Sequence, residues 1–552
     1  MPHDDLWLQQ KAKKIFAVAP RLFATLVLVL DSGGNRIMEF LDAGIDDSHL
    51  PFVRLSTPTT RDGSTRLQLC SKNAPNQPLE CMAGWEKLSI QRFAQTQHSM
   101  YPPTFVFRDD IQHYDFGEHT VLPFIEDHER RKSDNEKGPI EGGYGSVWKV
   151  AIHPAHQQVF PREGSRGRRP MHVSRSGSIL PLRYKYNAIK RLNSTNEESF
   201  RSEVAMLRAF KKYPHQHLVD LLATYKWKGM FHLIFPFAEL NLREYWKTTP
   251  LPEFSEKTVF WILRQCRAIT SGLHVVHEYR YTYAQETESE EGRKFGRHGD
   301  IKAENMLWFP EEGDEHGILV IADFGLTDFH NRATRSGPAK SITGSPSYEP
   351  PELVLFSQIS RAYDIWSLGC MFLEFATWLV GGQDALDEFA RHRLLRGPEN
   401  FKDDTFFTIV GDDSPGNPRM AIVRESVRAW IHGLHEMPRC SSFVNDLLNL
   451  ISEQMLVIEP KNRIRIRMLN RELASMLSKA TEDPGYLTVP RPSKPMAVQN
   501  PSLLALPPPS TSVGTPLPRS SAVLETRSST DIPSSRLSNI SRPTSLMTFS
   551  TD

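Results

Sequence analysis

Arg297-His298-Gly299-Asp300-Ile301-Lys302-Ala303-Glu304-Asn305 sets an aspartate, a lysine and an asparagine at the spacing D-x-K-x-x-N. Asp323 follows eighteen residues after Asn305, inside Ile321-Ala322-Asp323-Phe324-Gly325. A carboxylate can take the proton of an attacking hydroxyl, and a nearby lysine can face a phosphate. Asparagine and aspartate oxygens suit a hard divalent cation. Each residue alone is an ordinary turn former; their order and spacing together point to phosphoryl transfer from a nucleotide with Mg²⁺.

Upstream lies a glycine-rich turn, Ile140-Glu141-Gly142-Gly143-Tyr144-Gly145-Ser146-Val147. Its glycines let backbone N–H groups approach phosphate oxygens closely. A later β-rich run carries Asn187-Ala188-Ile189-Lys190. Phe200-Arg201-Ser202-Glu203-Val204-Ala205-Met206-Leu207 then reads as an amphipathic helix with Glu203 on the flank of its apolar face. Arg208 and Lys211 do not stand four residues from Glu203, so a surface pair along the helix does not account for it.

In combination these motifs resemble the eukaryotic protein kinases, serine/threonine type. The resemblance implies a two-lobed α+β fold, with a β-rich small lobe and an α-helical large lobe, and it covers about two thirds of the chain. It implies ATP and Mg²⁺ as cofactors and protein substrates as partners. Asp300 is then the catalytic base, Lys302 the lysine on the γ-phosphate, and Asn305 and Asp323 the Mg²⁺ ligands. Lys190 holds the α- and β-phosphates and pairs with Glu203. Ile140, Gly142, Gly143, Gly145, Val147 and Ala188 line the nucleotide, Phe235 stands at the gatekeeper position, and Pro236-Phe237-Ala238 forms the hinge. Pro236 lacks an N–H but keeps the carbonyl that the pattern asks for, the donor coming from Ala238. Gly344-Ser345-Pro346-Ser347-Tyr348-Glu349-Pro350-Pro351-Glu352 resembles the end of an activation segment, and Asp364-Ile365-Trp366-Ser367-Leu368-Gly369 the central helix of the large lobe. A half-buried Asp364 is expected to hold the catalytic-loop backbone, and Arg463 to pair with Glu352.

The chain departs from the family pattern at three positions. Ile140 stands where the first loop glycine is usual, and Pro350 where an alanine is usual. Gly299 replaces an arginine that ordinarily binds a phosphate on the activation segment. An enzyme active without that phosphate is the expectation. A scaffold that binds nucleotide with little catalysis is the competing class, suggested by Ile140 and Gly299; the presence of Lys190, Glu203, Asp300, Asn305 and Asp323 favours catalysis.

The chain has 552 residues, more than one ordinary domain, with a net charge of +1. That balance gives no general attraction to nucleic acid or anionic membrane. Five scattered cysteines without a C-x-x-C pair suit a reducing compartment, cytoplasmic or nuclear. The apolar stretch Leu22 to Leu30 is too short to span a bilayer and reads as a buried helix or strand. Residues 1–110 read as a mainly helical accessory region with room for a protein partner, broken at Ser32-Gly33-Gly34. Residues 115–480 form the kinase-like domain, with strands expected at Gly145 to Ile152, Tyr186 to Arg191, Leu221 to Lys226 and Phe231 to Phe237. Residues 153–183 and 279–296 read as loops. Residues 482–552, rich in Pro, Ser and Thr, read as a disordered tail.

Overall fold

The structure, a computed structural model, describes residues 2–30, 33–55, 67–127, 140–142, 145–160, 186–193, 195–212, 214–278, 280–282, 293–311, 313–324, 328–331, 336–338, 346–355, 358–396, 402–411 and 418–490. The N-terminal region is built on helices Pro2–Val18, Pro20–Val29, Gly33–Asp42 and Lys87–Thr96, with a short strand pair, Val53–Arg54 on Leu69–Cys70. Pro20 opens its helix where a missing N–H costs nothing. Leu22, Leu26 and Val29, spaced by one and two turns, point inward. They meet Phe40, Phe52 and Phe93, whose rings stack, with Trp85 edge-on to two of them. The buried Gln97 side chain bonds both the N–H and the carbonyl of Phe52 and so ties the strand segment to the helices.

The β-rich lobe is a seven-stranded sheet in the order Gln112–Asp115, Ala223–Trp227, Met230–Pro236, Asn187–Leu192, Gly145–Ile152, Phe124–Asp127, with Ile140–Gly142 also paired to Gly145–Ile152. The first pair is parallel and all others antiparallel. Phe105 and Phe107 belong to the core of this lobe, beside Trp148, Ile189 and Tyr225. The expected boundary at 110–115 therefore cuts through a packed unit, and the N-terminal core gives way to the sheet core between Tyr101 and Phe105. The expected loop 153–183 also begins as structure: Gln157–Val159 pairs in parallel with Phe105–Phe107.

The helical lobe surrounds Ala362–Arg393. The apolar run of this helix is long enough by composition to cross a bilayer, yet 94% of it is buried within the lobe, which marks a core helix. Gly382 breaks it at φ +75, where an added Cβ would stand 2.5 Å from the Pro250 carbonyl oxygen. Two expectations are corrected here. The ends of 279–296 form strands, Arg280–Thr282 and Arg293–Arg297, in a sheet with Asp328–Asn331. Folded chain also runs past 482: Gly485–Thr488 is helical with Tyr486 and Leu487 buried. The tail beyond Pro490 lies outside the described residues.

Candidate active site

The hairpin of Met306–Glu311 and Asp314–Ile321 explains how distant sequence positions meet. Met306 pairs with Ile321, so Asn305 and Asp323 leave the same end of the hairpin. The Ala322 N–H donates to the Asn305 carbonyl at 2.9 Å, and Val219 and His217 pair with Ile321 from the other side. Asp323 has φ +62, a left-handed backbone that Asp tolerates better than most residues. Phe324 is buried against Phe210 and His298.

Above this hairpin stands the strand Asn187–Leu192. Lys190 Nζ lies 3.0 Å from Glu203 Oε1 and 2.8 Å from Asp323 Oδ1, with the lysine side chain 10% exposed. Burial opposes the ammonium charge, but the two carboxylates outweigh it and raise the Lys190 pKa. Burial likewise opposes the charge of Asp323, and Lys190 overcomes it and holds that carboxyl below its usual range. The helix Glu197–Lys212, the sheet and the hairpin thus converge on one lysine.

Asp300 sits just below. Lys302 Nζ lies 2.7 Å from Asp300 Oδ2, and Asn305 Nδ2 donates to both the carbonyl and Oδ2 of Asp300 at 2.8 Å. The loop is fixed from beneath by Asp364, which is fully buried and not half-buried as expected. Asp364 accepts from the His298 N–H at 2.9 Å and the Gly299 N–H at 2.8 Å, and His277 Nε2 lies 2.7 Å away. Burial pushes the Asp364 carboxyl up, but the His277 hydrogen bond and the charges and donors around it hold it below its ordinary value. Burial lowers the His298 pKa, so its imidazole is neutral: the Asp300 N–H donates to Nδ1 and Nε2–H donates to the Ala322 carbonyl. Gly299 has φ +82, a conformation that glycine takes without the Cβ penalty.

Ile140 pairs with Val147 and Gly142 with Gly145, while Gly143 is outside the described residues. Val147 faces Lys190 in register, and a Cβ on Gly145 would stand 2.3 Å from the Arg191 carbonyl oxygen, so only glycine fits. Ala188 pairs with Phe235, and Pro236, the last residue of its strand, with Asn187. Phe237 and Ala238 follow that strand, between the lobes. Lys149 stacks over Tyr186 and Phe237. In the helical lobe Arg463 forms a bidentate pair with Glu352, both contacts at 2.6 Å.

Sequence reading missed a second buried cluster. Glu374 receives Arg243 at 2.7 Å, Arg393 at 3.0 Å and the Tyr348 hydroxyl at 2.6 Å, while Arg243 also reaches Glu304 at 3.0 Å. A lone glutamate inside the apolar run Cys370 to Val380 was its available signal, because buried carboxylates need partners. His277 was missed too; it stands in an amphipathic helix like any other half-polar residue.

A small sheet over a helical lobe, with a lysine clamped between two carboxylates at the seam, is the arrangement of a two-lobed kinase fold. The model of the protein kinase domain matches residues 182–472, more than half of the chain. The chain belongs to the protein kinase family. It is 27% identical over 234 residues to MAP3K epsilon protein kinase 1 of Brassica napus, covering 42% of this chain and 15% of that protein. It is 28% identical over 212 residues to MAP3K epsilon protein kinase 2 of Arabidopsis thaliana, covering 38% and 14%. With cyclin-dependent kinase-like 5 of Mus musculus the figures are 24% over 233 residues, 40% and 22%. The chain thus spans less than a quarter of the length of these relatives.

Proposed function

We propose that the chain is an active serine/threonine protein kinase that transfers the γ-phosphate of ATP to protein hydroxyls in a reducing, intracellular compartment. The observation that carries this reading is the engaged Lys190: it meets Glu203 and Asp323 at once, and Asp323 follows Ala322, whose N–H bonds the carbonyl of Asn305 in the Asp300–Lys302–Asn305 group. Asp300, low in exposure and oriented by Asn305, is set to accept the proton of a substrate hydroxyl. Lys302 beside it supplies a positive charge where the γ-phosphoryl oxygens gather negative charge. Lys190 fixes the remaining phosphates, and Glu203 keeps it aimed.

The donor set suits Mg²⁺. Asp323 stays ionised, and because Asn305 spends its Nδ2 on Asp300, its amide oxygen is left as the acceptor. Bound there with the nucleotide, the ion would neutralise phosphate charge. The hairpin of Ile140–Gly142 with Gly145–Ile152 offers close backbone approach to phosphates, and the segment Pro236-Phe237-Ala238 offers backbone groups to adenine.

Lys302, two residues after the proposed base, supports hydroxyls of serine and threonine over tyrosine. Phosphoamino-acid analysis of a degenerate peptide pool labelled by the full chain with ATP and Mg²⁺ tests this. Label on serine and threonine is expected, and label confined to tyrosine would refute the specificity.

A further inference from the structure

The helix Glu197–Lys212 that carries Glu203 is gripped on its far side by chain about a hundred residues upstream, outside the region matched by the family model. Arg208 Nη2 donates to the Ile111 carbonyl at 3.3 Å. Lys211 Nζ donates to the Arg108 carbonyl at 2.7 Å, with its side chain only 8% exposed. These are the two cations whose spacing from Glu203 ruled out a local pair. The gripping segment is itself anchored: Gln112–Asp115 extends the sheet in parallel beside Ala223–Trp227, and His113 Nδ1 lies 2.9 Å from Thr224 Oγ1. Phe200, three residues before Glu203 and on the same helical face, stacks at 4.2 Å on Phe231 with the His113 ring 5.3 Å away.

The consequence is mechanical. The Lys190–Glu203 contact spans 3.0 Å between elements of different origin, and a shift of the helix by an ångström or two breaks it. Strand pairing fixes Lys190 and the hairpin fixes Asp323, but no strand pairing fixes the helix. Side chains must do so, and Arg208 and Lys211 tie its last turns to a segment that the sheet holds rigid.

We propose that Arg208 and Lys211 are positioning residues that act through Glu203. By clasping the carbonyls of Arg108 and Ile111 they hold the helix at the depth where Glu203 reaches Lys190, which makes the 108–115 segment an internal activator of the site. This rests on the phosphotransfer reading above.

The test is a cycle on the full chain: wild type, Arg208→Met/Lys211→Met, Glu203→Gln, and all three substitutions together, each read for kcat, for KM of ATP and for melting temperature. Methionine keeps the apolar stems and removes the donors. The expected result is a loss of at least tenfold in kcat/KM when Glu203 is present and no more than twofold when it is Gln, since residues that act through one another are not additive. Arg208→Lys/Lys211→Arg, which keeps a cation at each place, should recover activity to within threefold of wild type. Equal fold losses in both backgrounds mean a merely structural role and overturn the proposal, as does an unchanged kcat/KM. If the double variant does not fold, Arg208→Met and Lys211→Met alone carry the same cycle. If the wild type transfers no phosphate, the cycle is read as affinity for a trinitrophenyl-ATP probe with Mg²⁺. Glu203-dependent changes in affinity then support the clasp while the phosphotransfer reading fails, and equal affinities throughout overturn the clasp.

Discussion

At the scale of single residues, Asp364 shows how one buried carboxylate can organise a loop it never joins. It receives two successive backbone N–H groups, from His298 and Gly299, and a histidine, with no exposure to solvent. The carboxyl titrates lower in the folded than in the unfolded chain. Its contribution is therefore whole above the ordinary carboxylate value of 3.8 and is lost as pH falls through the lower folded value. Asp364→Asn should destabilise the protein by about 2–3 kcal/mol at neutral pH, because the amide replaces a charged acceptor and points a donor at another donor. Denaturant unfolding at several pH values should find the gap to wild type shrinking below about pH 4; a gap constant down to pH 3 would contradict this. Asp364, Arg463 and Glu352 were legible in the sequence because each sits in a motif with its own spacing. The Arg243–Glu374–Arg393 cluster was not, because Arg243 comes from the separate helix Leu242–Thr248 and Arg393 stands nineteen residues past Glu374, beyond the break at Gly382, so only the fold brings them together.

At the scale of elements, the central strands of the sheet were legible from β-branched and aromatic runs. Gly145–Ile152 is found as expected, and Asn187–Leu192, Ala223–Trp227 and Met230–Pro236 are displaced by one or two residues. The strand Gln112–Asp115 was not legible: its polar run Gln-His-Tyr-Asp carries no alternation, and its pairing is set by the neighbour it extends. After Asp323 the described residues pair through the backbone, Asp328–Asn331 on Lys294–Arg297 and Ser336–Pro338 on Gln358–Ser360. Gly299 supplies no guanidinium for a phosphate there, and its N–H is already bound to Asp364. Ser336→Ala/Ser341→Ala/Thr343→Ala, of which positions 341 and 343 lie outside the described residues, should keep turnover within about threefold of wild type. A loss of tenfold or more in steady-state kcat would mean that a phosphate on this segment does operate the enzyme.

At the scale of the whole molecule, two lobes and an N-terminal helical core follow one another along the chain, but their borders were the least legible part. The family match starts at residue 182, whereas the sheet lobe already begins at Phe105. A long insertion separates Gly145 from the Leu192 it faces in register, so the motifs name the glycine turn and the Lys190 strand but their pairing side by side is seen only in the sheet. The site is likewise a product of the assembled lobes: Lys190 comes from the sheet, Glu203 from a helix against it, and Asp300, Lys302, Asn305 and Asp323 from the loop and hairpin below. Phosphotransfer from labelled ATP with Mg²⁺, compared between the wild-type full chain and Asp300→Asn, tests this most directly. Steady incorporation by wild type and a loss of about 10²–10⁴-fold in Asp300→Asn is the expected result. Equal incorporation by both would remove Asp300 from its role, and none by wild type would mean that the fold serves as a nucleotide-binding scaffold.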